Sequence, residues 1–179
     1  LRAALPIWGE FKPLVFGDPA DHAYDMPFFE PTVYDQAVTH PDDFLGQPLG
    51  SRLSRHSEIL ACFRRWATQS DRVSMEVYAR SHEGRELIWM AITSPANQKK
   101  LRGIRADLAR LDDPRGLSKA DAARLVANTP PVAWMGYGIH GDEPSGCDAA
   151  LALGYHLIAG QSQAVTELLE KIVVVKIGR

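Results

Sequence analysis

The feature that most constrains this chain is a strand that must stop and a helix that must start within a few residues of each other. Residues 131–139, Pro-Val-Ala-Trp-Met-Gly-Tyr-Gly-Ile, form a short continuous apolar run with β-formers and follow a Thr-Pro-Pro break. Such a run reads as a buried strand. His140-Gly141-Asp142-Glu143 comes next. Pro144 then suits the first turn of a helix, because its missing N–H and fixed φ cost nothing there. A helix over 144–159 places Cys147, Leu151, Tyr155 and Ile158 on one apolar stripe, with Gly160 as its stop. A strand end feeding a helix start is where open α/β sheets hold ligands.

His140 and Glu143 are three apart on this turn, a spacing that brings an imidazole nitrogen and a carboxylate onto one metal ion. Zinc accepts that mixture, and catalytic zinc sites commonly join two His and one Glu while leaving a position open for water. Gly141 lets the backbone bend between the two residues, and Pro144 stiffens the loop behind the carboxylate. The same spacing also suits a loop histidine beside Asp142 and Glu143, two acids that merely favour the positive end of the following helix. Spacing alone does not choose between these readings.

The flanking chain has the order of an α/β domain. Ser54 precedes a predicted helix over 55–68 with Ile59, Phe63 and Trp66 at helical spacing, and its hydroxyl is placed to cap the first turn. Residues 73–78 alternate apolar and polar and residues 87–92 are apolar, so 81–85 reads as the connection of a hairpin whose first strand is at or near a sheet edge. Gly84 supplies the turn, and His82, Glu83 and Arg85 hold the loop by hydrogen bonds; nothing in the sequence places His82 near His140. Residues 94–97 break the strand. Leu101, Ile104, Leu108 and Leu111 then mark a helix stripe, and Ser118 with Asp121 resembles a capping box that opens a second helix with Leu125 and Val126 inward. Ser162 caps a helix carrying Val165, Leu168 and Leu169, and 171–177 reads as the next strand. Four strands are visible, and the expected fold is α/β, a mixed sheet flanked by helices.

Residues 1–50 are rich in Pro, Asp and aromatics without a sustained helix or strand period, and they read as an extended N-terminal arm ahead of a domain over 51–179. Phe28, Phe29, Tyr34 and Phe44 are expected to pack on the domain surface rather than to line a groove. A chain of 179 residues is long enough for one sizeable core. Its net charge of -2 offers no case for nucleic acid or an anionic membrane, so neither partner is expected. No apolar run approaches the length of a transmembrane segment, and no N-terminal stretch has the order of a signal peptide. The chain begins with Leu1 rather than Met, which fits a processed or trimmed product. Cys62 and Cys147 fall among apolar residues and read as buried free thiols.

The run Gly138-Ile139-His140-Gly141-Asp142-Glu143-Pro144-Ser145-Gly146 resembles the first zinc-ligand motif of the zinc metallocarboxypeptidase family, where a strand ends in His-x-x-Glu and a helix follows. Upstream, Tyr78-Ala79-Arg80-Ser81-His82-Glu83-Gly84-Arg85-Glu86-Leu87 is similar to the Gly-x-Ser-x-Glu-Gly-Arg segment that joins that family's first two strands. Order and interval also fit, and the resemblance covers about residues 50–177. It implies a carboxypeptidase-like sheet present in part, Zn2+ as cofactor, His140 and Glu143 as two of its three protein ligands, and hydrolysis of a C-terminal peptide bond by zinc-activated water. The helices between the second and third strands suggest a divergent, bacterial-type branch, with a secreted or periplasmic setting.

The same resemblance places the third ligand, the substrate-gripping arginines, a tyrosine and the glutamate base beyond Arg179, so no catalytic residue is expected within this chain. Neither metal ligand doubles as the base, because a carboxylate bound to zinc collects a proton poorly. His156 lies thirteen positions after Glu143 along a helix, roughly 20 Å away at 1.5 Å per residue, which excludes it from a shared metal. His22, His40 and His56 lie in or near the arm, and nothing argues for them. Asp142 stands where some members carry an arginine that holds the substrate carboxylate. An acid there repels a carboxylate and suits an amino group, which makes Asp142 a candidate substrate contact and opens the substrate to cell-wall peptides as well as ordinary ones. Two rival readings remain. One is a deacylase of the aspartoacylase and succinylglutamate desuccinylase kind, whose ligand motif is similar; the other is a binding module that kept the fold without the chemistry.

Overall fold

A computed structural model describes residues 29, 31–143 and 145–178. The chain divides into two units, Leu1–Pro31 and Thr32–Arg179, and the second holds the sheet and its helices. His22 and Phe28 lie outside the described residues.

The second unit is a mixed four-stranded sheet with helices on it, in the strand order β1 (Val73–Arg80), β2 (Glu86–Ile92), β4 (Val173–Gly178), β3 (Val132–Tyr137). β1 and β2 form an antiparallel hairpin, β2 runs antiparallel to β4, and β3 runs parallel to β4. The first strand is at the edge, as its alternation predicts. One face of the sheet, with Ile88, Met90, Ile92, Val174 and the partly buried Met135, packs against two helices. These are α2 (His56–Gln69), which contributes Ile59, Cys62, Phe63 and Trp66, and α6 (Ser145–Ala159), which contributes Leu151, Tyr155 and Ile158. The opposite face carries a smaller cluster of Ala91 and Val173 under Ile104 of α4 (Leu101–Asp112). α7 (Gln163–Lys171) buries Val165 and Leu169 and leaves Leu168 42% exposed. Both cysteines are free thiols, and no helix among the described residues is long and apolar enough to cross a membrane.

Several local expectations are corrected. β3 is not a buried strand: it pairs with β4 on one side only, its side chains alternate, and Trp134 is 69% exposed. The strand buried on both faces is β4, whose Val173 and Val174 are both buried, because it lies between two neighbours. Ser54 does not cap α2. Arg55 takes the N-cap position, and the Glu58 carboxylate reaches back to accept its backbone N–H at 2.8 Å. Glu58 is steered there by Arg52, whose guanidinium grips it at 2.7 and 2.9 Å and holds its carboxyl down at about 2. Residues 94–97 are more than a break: Ser94 caps a one-turn helix, α3 (Pro95–Gln98). Val126 does not point inward. Its helix α5 (Lys119–Asn128), capped by Ser118 as expected, packs on α4 rather than on the sheet and buries no residue.

Within the stretch read as an arm, residues 32–50 run against the domain. Val38 is buried in the core, Tyr34 bridges to Gly160, and a short helix, α1 (Pro41–Leu45), is capped by His40.

Candidate metal centre

Strand direction builds the site. β3 is parallel to β4 and β2 antiparallel to it, so the carboxyl end of β3 lies at the end of the sheet where β2 begins. The β1–β2 hairpin tip therefore lands beside the loop that follows β3. Gly138 ends that strand with φ at 66°, in the left-handed region where a Cβ is disfavoured. The chain then turns, and the Glu143 N–H donates to the His140 carbonyl at 3.4 Å. Gly138→Ala is expected to lower stability by roughly 1–2 kcal/mol, the cost of a side chain in that conformation. Urea unfolding that shows no loss would mean the left-handed turn is dispensable.

A cavity of 620 Å³ opens at this end of the sheet. His140, Gly141 and Glu143 line it from the loop, Cys147 from α6, Ser81, His82, Glu83 and Arg85 from the hairpin tip, and His56 and Ile59 from α2. Both proposed ligands thus face one space. Asp142 is exposed and is not among the lining residues. His82 and His140 both line this cavity, a placement the sequence alone does not show. The signal was present in the sequence as a hairpin, but only the order of the strands places its tip beside His140.

The remaining candidates have other partners. The His56 ring shares a hydrogen bond with the Glu86 carbonyl at 3.0 Å, and Glu86 is itself gripped by Arg64 and Arg80. His40 accepts the Asp42 N–H at 3.2 Å, and its ring centre lies 4.7 Å from that of Tyr155 with the two rings nearly perpendicular. His156 pairs with the Tyr34 hydroxyl at 3.1 Å, and burial pushes its pKa down. In the hairpin, Glu83 and Arg85 form an ion pair at 2.8 Å and the Arg85 N–H donates to the Ser81 hydroxyl at 3.1 Å, as expected of residues that hold a loop. The Cys147 thiol has its pKa raised by burial and then by the Asp148 charge.

The donor set suits zinc as far as it goes. An imidazole and a carboxylate lie on one short turn, both reach one cavity, and neither side chain is tied up by a hydrogen bond or ion pair among the described residues. No group of three or more potential ligands forms among the described residues. No curated protein matches the chain. The family model for zinc carboxypeptidases matches residues 59–176, from α2 through the hairpin and the His140–Glu143 turn into β4. With a match across well over half its length and the motif at the strand end where it falls, the chain belongs to the zinc carboxypeptidase family.

Proposed function

We propose that His140 and Glu143 are two protein ligands of a catalytic zinc, and that the chain contributes them to hydrolysis of a C-terminal peptide bond. The observation that carries this reading is their shared cavity at the carboxyl end of β3, inside the stretch that matches the family. Bound zinc supplies a Lewis acid and an activated water. The chain's own residues bind and orient: a ring nitrogen of His140 and a carboxylate oxygen of Glu143 act as donors, and the backbone hydrogen bond from the Glu143 N–H to the His140 carbonyl holds the two residues on one turn. No group of three or more potential ligands forms among the described residues, and we assign the third ligand and the proton-accepting glutamate to residues outside them, as the family resemblance implies. The family match favours a peptidase over the deacylase reading. Asp142, next to a ligand and exposed, is the residue we assign to an amino group of the substrate, an ordinary or a cell-wall peptide.

Zinc affinity measured by competition with a chromophoric chelator tests the ligand pair. His140→Ala and Glu143→Gln are each expected to weaken binding by more than about tenfold, since losing a ligand costs at least as much as losing the partner that orients one. His82→Ala is expected to bind as the parent does. Binding untouched by His140→Ala, or abolished by His82→Ala, would reassign the site.

A further inference from the structure

Lys176 lies on β4 with 3% of its surface exposed, and it is the one charged side chain among the buried residues described. Its Nζ donates to the Ala150 carbonyl of α6. The same nitrogen is 4.9 Å from the centre of the Tyr137 ring and 5.6 Å from that of Phe63. Gly154 leaves the space it occupies, because a Cβ there would come within 3.0 Å of Nζ. Tyr137 is the last residue of β3, and Ala150 lies in the second turn of α6. Residues 138–144, with both proposed ligands, are strung between these two elements. One nitrogen therefore touches both stems of the ligand loop.

We propose that Lys176 is a positioning residue whose ammonium clamps the end of β3 to α6, so that losing its proton loosens the loop carrying His140 and Glu143. An ammonium is drawn to the face of an aromatic ring, whereas a neutral amine is not. The amine still donates to Ala150, without the strengthening that charge gives. Deprotonation thus releases the Tyr137 stem and keeps a weaker hold on α6.

The surroundings leave this switch to the lysine. Facing Nζ are Phe63 from α2, the Ala150 carbonyl and Gly154 from α6, and Tyr137 from β3; Met90 of β2 is its register partner. Of these only the Tyr137 phenol titrates, and burial pushes it up, away from neutrality. No carboxylate among the described residues pairs with the ammonium, and burial brings its pKa down to about 7. The inference takes from the zinc reading only what the loop is for; the clamp operates without metal.

Hydrogen exchange of the metal-free full chain, followed by mass spectrometry on peptides covering 138–144 and corrected for intrinsic rates, tests it. The loop is expected to be about tenfold better protected at pH 6 than at pH 9, the size of effect a desolvated ring–cation contact gives. That difference should vanish in Lys176→Met and in Tyr137→Leu and persist in His140→Ala, which separates the lysine from the imidazole. Equal protection at both pH values in the parent, or an unchanged difference in either of the first two variants, would overturn the clamp. A loss of zinc binding to His140→Ala is read separately, so the metal reading and the clamp can fail independently.

Discussion

Replacing Trp66 with alanine is expected to lower the stability of the domain by roughly 3–5 kcal/mol, a large share of the roughly 5–15 kcal/mol a domain usually has. Trp66 is fully buried on α2 and ties three parts of the fold together. Its ring lies 5.6 Å from Phe63 on its own helix and 6.0 Å from Tyr155 on α6. Its indole N–H donates to the Thr39 carbonyl at 2.8 Å, which pins residues 32–40 to the helix. Gly154 is cut to fit it, since a Cβ there would approach the indole within 3.1 Å. The alanine variant thus leaves a cavity that α6 cannot collapse into and a carbonyl without its donor. Trp66→Phe keeps most of the packing and should cost closer to 1–2 kcal/mol, the loss of one partly buried hydrogen bond and some volume. Urea unfolding of the two variants separates the contributions. An alanine variant within about 1 kcal/mol of the parent would mean that the core repacks around the gap.

Much of this architecture follows from local pattern, and the departures at β3 and Val126 share one cause. The hairpin, the α6 stripe and the Ser118 and Ser162 caps depend on neighbours a few residues away, and each forms where spacing puts it. The burial of β3 depends instead on which strands lie beside it. A continuous apolar run suits the strand between two neighbours, but β3 has one partner, and the central place belongs to β4. Val126 fails in the same way, because its helix meets α4 and not the sheet. Within the site, His140 and Glu143 are legible because two residues of one turn need no tertiary information to be close. His82 is not, because its place beside them comes from strand order across more than fifty residues of chain. Lys176 is the deeper miss. A single lysine in Val-Val-Val-Lys-Ile breaks the apolar pattern in plain view, yet only the packing of Tyr137, Phe63 and Ala150 shows where its charge goes.

That lysine should also be visible in the stability of the whole domain, with a sign opposite to its effect on the loop. In the native protein Lys176 gives up its proton at about 7, whereas an unfolded chain keeps it to 10.5. Between those values the unfolded state binds more protons, so stability rises with pH across this window, and the full cost of the buried ammonium is present below it. A fall from 10.5 to about 7 corresponds to roughly 4–5 kcal/mol. Lys176→Met, an apolar chain of similar reach, is therefore expected to be more stable than the parent at pH 6 by about 1–4 kcal/mol, as is usual when a buried charge gives way to a well-packed apolar group. The gain should disappear by pH 10. Other titrating groups are common to both proteins and cancel in the difference, so urea unfolding of the pair at pH 6, 8 and 10 isolates the lysine. A gain that is constant with pH, or a methionine variant less stable at pH 6, would show that the ammonium is compensated within the core and carries no cost. If the cost is real, the fold bears it only while the lysine is charged, and that is the same range in which the ammonium holds Tyr137 and α6 together. Global stability and the order of the ligand loop then move in opposite directions with pH, which is how a residue kept for the loop differs from one kept for the core.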